Sequence, residues 1–163
     1  MPRPPARVES PPPAQRRTKY TLDTNLFLYG FRDPEVAARL ERFHQAHAPF
    51  EQLSAVVAHE LLAGTRTPQA AAALRRQLLA RFERAGRVFA PTPAAWQQAG
   101  LVLAAMVQRD RLVLADVRKS FTNDVVLAVS CRERGVTLVT ANERDFTRIR
   151  RFVAGFTFIT AFP

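Results

Sequence analysis

Cysteine, lysine and long apolar runs are scarce in this sequence, and each scarcity narrows the class of protein. The only cysteine among the 163 residues is Cys131, so the chain cannot form an internal disulfide, which favours a reducing cytoplasm. No stretch approaches the roughly 18 uncharged apolar residues of a membrane helix, and no apolar segment of about 7 to 15 residues follows the basic start. We therefore expect a cytoplasmic protein without a membrane span or an export signal.

Basic residues outnumber acidic ones, and nearly all of them are arginine. The chain has 24 Lys and Arg against 14 Asp and Glu, a net charge of +10, and its only lysines are Lys19 and Lys119. The planar guanidinium group suits phosphate, and an excess of positive charge is typical of nucleic-acid-binding proteins. A genome rich in G and C also favours arginine, alanine and proline codons, so composition alone leaves both interpretations open.

Proline is concentrated at the start of the chain. Residues 1–17 contain six of the twelve prolines. A segment of this composition cannot form a packed core, so we expect a disordered tail rich in proline and arginine over residues 1–17. Residues 18–163 are enough for one domain with a substantial core, and they show no internal repeat.

Strand-like and helix-like segments alternate along residues 18–163. Apolar runs predict strands in KYTLD, VTLVT and FTFIT, a shorter strand in RVFA, and a short strand or turn in QLS. Helices are expected at residues 25–32, 35–47, 68–85, 93–109, 120–134 and 143–150, with another that ends at Gly64. Strands separated by helices favour an α/β fold, in which a parallel sheet lies between two helical layers.

Four carboxylates occupy unusual positions in this pattern. Asp23 ends the first predicted strand, and Asp145 follows the strand VTLVT through the residues ANER. Glu60 lies in AVVAHELLAG and Asp124 in SFTNDVVLAV, where most neighbours are apolar. In parallel sheets ligands bind beyond the carboxyl ends of the strands, so Asp23 and the segment that contains Asp145 are expected to meet there.

Each of these acids also has an ordinary structural interpretation. Asp23 and Asp124 could cap helices, Asp145 could interact with a helix dipole, and Glu60 could pair with an arginine. If the four converge, they repel one another, by on the order of 4 kcal/mol for two charges about 4 Å apart at an effective dielectric near 20. Protonation or a bound cation relieves such repulsion, and oxygen ligands are those that Mg²⁺ or Mn²⁺ prefers.

Three segments, in order, carry a family resemblance: LDTN, then SAVVAHELLAG, then NDVVLAVSCRERGVTLVTANERDF. Together they resemble the PIN-domain family, and specifically the VapC-like toxin ribonucleases of type II toxin–antitoxin systems. The resemblance extends over residues 20–146, and the third segment is its most specific part. It implies a three-layer α/β/α sandwich with a central, mainly parallel sheet, so that residues 18–163 would form a PIN-like nuclease domain.

The resemblance also implies a set of site residues. Asp23, Glu60 and Asp124 would be the core metal-binding and catalytic acids, and Asp145, with Asn142, falls on the fourth and more variable position. The polar residues that would line or brace the site are Thr24, Asn25, Thr140 and Asn142. A Mg²⁺ or Mn²⁺ ion held mainly by Asp23 and Asp124 would lower the pKa of the water that attacks the phosphorus.

The function implied by the resemblance is a metal-dependent endoribonuclease that hydrolyses RNA phosphodiester bonds. Such a protein would be the toxin of a two-gene module, neutralised by a small antitoxin and homodimeric. Two alternatives stay open: a housekeeping RNA-processing PIN nuclease without an antitoxin, and a nucleic-acid-binding PIN domain that has lost catalysis. The arginines that flank the presumed site and are predicted to contact RNA are Arg144, Arg148, Arg150 and Arg151.

The sequence lacks residues that several other enzyme classes require. His59 and Glu60 begin a zinc-protease pattern, but the position of its second histidine is Ala63. A phosphatase of the haloacid dehalogenase type would need a second aspartate two residues after Asp23, where the chain has Asn25. No glycine-rich phosphate loop of the P-loop or dinucleotide-binding type is present.

Overall fold

Five short strands form one parallel sheet at the centre of the molecule. The computed structural model describes residues 18–160, so the tail predicted at residues 1–17 lies outside the described residues. The strands are β1 (Lys19–Leu22), β2 (Glu51–Ser54), β3 (Val88–Phe89), β4 (Val136–Val139) and β5 (Phe158–Ile159). They lie in the order β3-β2-β1-β4-β5, and every neighbouring pair is parallel. This arrangement confirms the predicted α/β class.

Helices connect the strands and complete a three-layer α/β/α arrangement. They are α1 (Thr24–Gly30), α2 (Pro34–His47), α3 (Ala55–Ala63), α4 (Pro68–Leu74), α5 (Ala80–Arg84), α6 (Pro93–Asp110), α7 (Lys119–Arg134) and α8 (Glu143–Arg150). Local sequence explains several ends: Asp33 and Thr92 cap helices that have proline in the first turn, and Gly135 ends α7 in the left-handed conformation. Within residues 18–160, no helix is both long enough and apolar enough to cross a membrane.

The predicted continuous helix at residues 68–85 is interrupted by a π-helical segment, Arg75–Leu79, between α4 and α5. A π turn contains more residues than an α turn and therefore rotates the following helix relative to the preceding one. In this helix Leu79 and Phe82 are buried on the inner side, while α4 has no buried residue. The spacing of apolar residues in the sequence does not reveal this rotation of the buried face.

The strand order places a crevice between β1 and β4. From β1 the chain goes to β2 and β3 on one side, whereas β4 and β5 lie on the other side. Leu22 pairs with Val139, and the Asp23 N–H donates to the Val139 carbonyl oxygen at 2.9 Å. The chain therefore leaves both strands at the same edge, at the topological switch point where α/β proteins bind ligands.

Helix α7 carries one acid into the hydrophobic core. Phe121 and every residue from Asp124 to Cys131 are buried, and α7 packs against α6, α8 and β4. Each fully buried valine or leucine contributes about 1.5–3 kcal/mol relative to an exposed one, so this helix is held firmly in place. Asp124 consequently has a fixed position beside the crevice.

Candidate active site

A cavity of about 730 Å³ opens at the carboxyl ends of β1 and β4. All four predicted acids line it: Asp23, Glu60, Asp124 and Asp145. Thr24, Asn25 and Asn142 line it too, whereas Thr140 lies behind Asp23 and contacts it directly. The structure therefore brings together in one place acids that are separated by 122 positions in the sequence, from position 23 to position 145.

Asp23 is buried, and both of its carboxylate oxygens accept hydrogen bonds. One carboxylate oxygen accepts from the Thr24 N–H at 2.7 Å, which makes Asp23 the N-cap of α1. The other accepts from the Asn25 amide at 2.7 Å and the Thr140 hydroxyl at 2.6 Å. Burial nevertheless raises the pKa of Asp23 to about 6, because desolvation outweighs these hydrogen bonds and the charge of Glu60 adds to it.

Glu60 is held by neutral donors rather than by an arginine. Its two carboxylate oxygens accept from the Thr24 hydroxyl and, at 2.8 Å, from the Asn123 amide. Among residues 18–160 it forms no ion pair. The interpretation of Glu60 as half of a salt bridge is therefore wrong within the described part of the chain, and its charge faces the cavity.

Asp124 lies in the second turn of α7 rather than at its cap. The helix begins at Lys119 with Arg118 as its N-cap residue, so the capping interpretation of Asp124 is also wrong. The Asn142 amide lies 3.3 Å from its carboxylate. Burial, followed by the charges of Asp23, Glu60 and Asp145, raises the pKa of Asp124 to about 8.

Asp145 completes the cavity from the first turn of α8. Its N–H is 3.4 Å from the side-chain oxygen of Asn142, which caps the helix, and its carboxylate accepts from the Asn142 amide at 3.1 Å. The Arg118 guanidinium is 3.6 Å from the same carboxylate. The Asn142 amide thus bridges Asp124 and Asp145, which stand on different helices.

The remaining predicted polar residues tie the start of α1 to the loop between β4 and α8. The Asn25 side-chain oxygen accepts from the Ala141 N–H at 3.2 Å, and the Thr140 hydroxyl oxygen accepts from the Asn142 N–H at 2.9 Å. These bonds keep Asp23 and the Asn142 loop in register. These hydrogen bonds orient the acids. Residues behind a metal-binding site typically tune it by orienting its ligands in this way.

Several cavity residues were not predicted from the sequence. Asn123 holds Glu60, Arg118 contacts Asp145, and Tyr29 and His59 form part of the cavity wall. The sequence could have indicated Asn123 and His59, because each directly precedes a predicted acid in the chain. It could not have indicated Tyr29 and Arg118, because their proximity to the acids depends on how α1 and α7 pack.

The oxygen donors of the cavity suit a hydrated divalent cation. Among residues 18–160, no three His, Cys, Asp or Glu side chains are grouped closely enough to form a ready-made metal site. The four carboxylates share one cavity instead, and their mutual repulsion contributes to the raised pKa of Asp124. An all-oxygen donor set with room for water fits Mg²⁺ or Mn²⁺, since Mg²⁺ usually keeps several of its water ligands.

The four arginines predicted to contact RNA have different surroundings. Arg148 and Arg151 both pair with Asp110, and the Arg150 guanidinium lies 5.1 Å from the centre of the Phe158 ring. Arg144 forms no ion pair with any residue in the described range 18–160. Contact with RNA stays a prediction for all four, and Arg144 has the side chain least committed to other partners.

A protein-family profile matches most of the chain. The sequence profile of the PIN domain matches residues 20–152. The chain belongs to the PIN-domain family, as the motif resemblance predicted. Comparison with curated protein sequences finds no match.

Solved structures with the same fold come from VapBC and FitAB assemblies. DNA-bound VapBC from Salmonella typhimurium has a chain 21% identical to this one, with a TM-score of 0.65 over 87% of this chain and 97% of that chain. VapBC2 from Rickettsia felis, bound to a fragment of its promoter DNA, gives 19% identity and a TM-score of 0.61 over 87% and 98%. FitAcB from Neisseria gonorrhoeae gives 18% and 0.61 over 86% and 96%. These similarities confirm the three-layer PIN fold.

Proposed function

We propose that this PIN-domain protein is an endoribonuclease that depends on Mg²⁺ or Mn²⁺ and hydrolyses RNA phosphodiester bonds. The observation that carries the proposal is the convergence of Asp23, Glu60, Asp124 and Asp145 on one cavity at the switch point of the sheet. Charges placed together in this way are costly unless a cation joins them. The net charge of +10 supplies the attraction for a polyanionic substrate.

In this proposal the acids have distinct roles. Asp23 and Asp124 would hold the metal ion, Glu60 would hold it directly or through a water molecule, and Asp145 would complete the pocket. A bound Mg²⁺ or Mn²⁺ polarises a phosphodiester and makes a coordinated water a better nucleophile. The positive charge would also favour the ionised forms of Asp23 and Asp124, whose pKa values are raised in the metal-free protein.

The other residues would orient these acids. Thr140 and Asn25 fix one oxygen of Asp23, and Asn123 fixes Glu60, so both carboxylates already have a defined direction. Preorganised ligands lose little freedom when the metal and the RNA bind. Asn142, which bridges Asp124 and Asp145, would keep the two helices at a constant separation.

We further propose that the protein is the toxin of a two-gene module, is homodimeric and is neutralised by a small antitoxin. The support is the fold shared with VapBC and FitAB assemblies, among them two VapBC complexes bound to DNA. This part of the proposal is tested in growing cells. Expression of the chain alone should arrest growth, and co-expression of the small antitoxin from the same two-gene module should restore it.

Nuclease activity is tested by incubating purified protein with a mixed RNA pool in the presence of Mn²⁺ or Mg²⁺, and with EDTA as the metal-free control. Asp124→Asn keeps the side-chain shape but removes a charge from the cavity, so it should abolish cleavage. Glu143→Gln is the matched control, because Glu143 lies on α8 close to Asp145 but is exposed and does not line the cavity. Cleavage that persists in EDTA, or in Asp124→Asn, would contradict the proposal.

A further inference from the structure

A second cavity continues from the candidate active site along the start of α7. It has a volume of about 310 Å³ and shares Arg118 and Asp145 with the carboxylate cavity. Its cationic walls are formed by Arg111, Arg118, Arg144 and Arg148, and we call it the arginine groove. A molecule that occupies the carboxylate cavity can therefore extend into the groove without leaving the surface.

The four arginines of the groove are not equally available to a ligand. Arg148 pairs with Asp110, and its guanidinium lies 5.7 Å from the centre of the Phe121 ring, so it belongs to the wall. Arg111 and Arg144 form no ion pair within residues 18–160. The side chain of Arg118 is 75% exposed and lies 3.6 Å from Asp145. Three guanidinium groups therefore face the groove with little or no neutralisation.

Two acids lie in the same groove and reduce its positive charge. Asp116 forms no ion pair with the described residues, and Asp145 is shared with the carboxylate cavity, where a metal ion would compensate it. The three arginines that Asp110 does not pair still exceed these two acids. Three separate guanidinium groups suit an anion with several charges, such as a run of phosphates, better than a single carboxylate.

Most of the residues that line the groove are charged. Val113 is 57% exposed, but Leu112 and Val117 are half-buried and Phe121 is buried. The groove is therefore suited to the phosphates of a nucleic-acid strand and not to stacked bases, which need exposed aromatic rings.

We propose that the arginine groove binds the RNA strand next to the bond that is cut, with Arg111, Arg118 and Arg144 contacting the flanking phosphates. The inference rests on the proposed nuclease function and names the part of the substrate that the carboxylate cavity does not hold. Arg118 would lie at the boundary between the carboxylate cavity and the arginine groove, because it lines both. Of the four arginines between positions 144 and 151, only Arg144 would contact a phosphate in this groove.

The backbone of Arg111 provides a selective variant. Arg111 ends α6 with φ 52° and ψ 33°, the left-handed conformation that asparagine adopts more readily than most residues. Arg111→Asn therefore removes the cation without straining the turn. Arg144→Gln removes the second cation from an exposed position on α8. Arg39→Gln is the matched control, because Arg39 is exposed on α2 and lines neither cavity.

The experiment measures binding of a fluorescently labelled random-sequence RNA, single-stranded, to the full chain that carries Asp124→Asn to prevent cleavage. Fluorescence anisotropy is recorded over a range of salt concentrations. Arg111→Asn and Arg144→Gln should each weaken binding about fivefold and lower the salt slope by about 0.7, the value for one lost single-strand phosphate contact. Arg39→Gln should change neither quantity measurably.

Two results would overturn the inference. Equal losses of affinity in all three variants would mean that RNA binding depends only on the net charge of the protein. Unchanged RNA binding, with weaker binding of a labelled poly-glutamate peptide by the groove variants, would assign the groove to an acidic protein segment instead. Failure of the nuclease function is separate, because it appears as absence of metal-dependent cleavage by the wild-type chain, whereas failure of the groove leaves that cleavage intact.

Discussion

The Thr140 hydroxyl donates a 2.6 Å hydrogen bond to the Asp23 carboxylate across 117 positions of sequence. The two residues directly follow neighbouring parallel strands, β4 and β1, and both are buried. The bond therefore spans the switch point of the sheet, where the order of strands reverses. It joins the first acid of the candidate site to the loop that leads into α8, the helix that carries the last one.

Thr140→Val should weaken both the fold and metal binding. The substitution keeps the shape of the side chain but removes a donor to a buried carboxylate, which costs about 1–3 kcal/mol. Urea unfolding should show this loss, and calorimetric titration should show weaker Mn²⁺ binding. Thr137→Val on β4, three positions before Thr140, is the control, because the Thr137 hydroxyl contacts only Thr157 at an exposed position. Equal effects of the two substitutions would contradict the assigned role of Thr140.

The metal-free protein should lose stability as the pH rises from about 4 to about 8. The pKa values of Asp23 and Asp124 are raised from 3.8 to about 6 and about 8. The folded state therefore retains protons that the unfolded chain releases, so each carboxyl favours folding below its unfolded pKa and loses this advantage as the pH passes through its folded pKa. A tenfold difference in proton affinity between the folded and unfolded states corresponds to about 1.4 kcal/mol of stability.

The pH effect is measured as the unfolding temperature in EDTA between about pH 5 and about pH 9. Asp124→Asn should flatten the profile and raise stability at the alkaline end, because the neutral amide has no charge to desolvate. Mn²⁺ should stabilise the wild type most at alkaline pH, where Asp124 is ionised, and by about 2.7 kcal/mol at a concentration 100 times its Kd. An unfolding temperature that rises with pH in EDTA would disprove the assignment.

Asn123→Ala should reduce cleavage without unfolding the protein. Asn123 is the amide donor to Glu60, at 2.8 Å, and residues behind a metal site typically contribute about 10-fold to 100-fold to activity or metal affinity. The loss should appear in RNA cleavage and in the Mn²⁺ concentration needed for half-maximal rate. Thr122→Ala, one position away and lining neither cavity, should behave as wild type. A full loss of activity in both variants would indicate damage to α7 rather than to the site.

His44→Ala should destabilise the protein although His44 does not line the carboxylate cavity. The His44 ring lies 2.7 Å from the Glu51 carboxylate, whose side chain is only 3% exposed. Removal of His44 leaves the buried Glu51 side chain without its hydrogen-bond partner, which typically costs about 1–3 kcal/mol. Urea unfolding measures the cost, and Gln45→Ala, at an exposed position, is the control. A cost below about 1 kcal/mol would show that Glu51 is satisfied by other groups.

Much of the site was predictable because each acid has a local signal. Asp23 and Asp145 follow strands, and Asp124 interrupts an apolar helix, so their neighbours in sequence mark them. What surrounds these acids was not predictable in the same way. The Asn123–Glu60 bond spans 63 positions, and the Arg148–Asp110 pair spans 38, so both depend on how helices pack.

The arginine groove illustrates the same limit. The sequence predicted RNA contacts at Arg144, Arg148, Arg150 and Arg151 from their position near Asp145 alone. The structure shows that two of the four are paired with Asp110, and that Arg111 and Arg118 approach Arg144 from another segment. A cluster of like charges in sequence therefore does not specify which members are exposed to a ligand.

The sequence by itself determined the order of strands and helices, the parallel class of the sheet and the identity of the four acids, because these depend on periodicity and on immediate neighbours. The tertiary structure decided the strand order, the side-chain partners of each acid and the continuity of the two cavities. The reason is physical: desolvation and charge repulsion depend on distances between segments that the chain brings together only when its core packs. Asp124 is the clearest case, since its raised pKa comes first from burial and then from three acids on other segments.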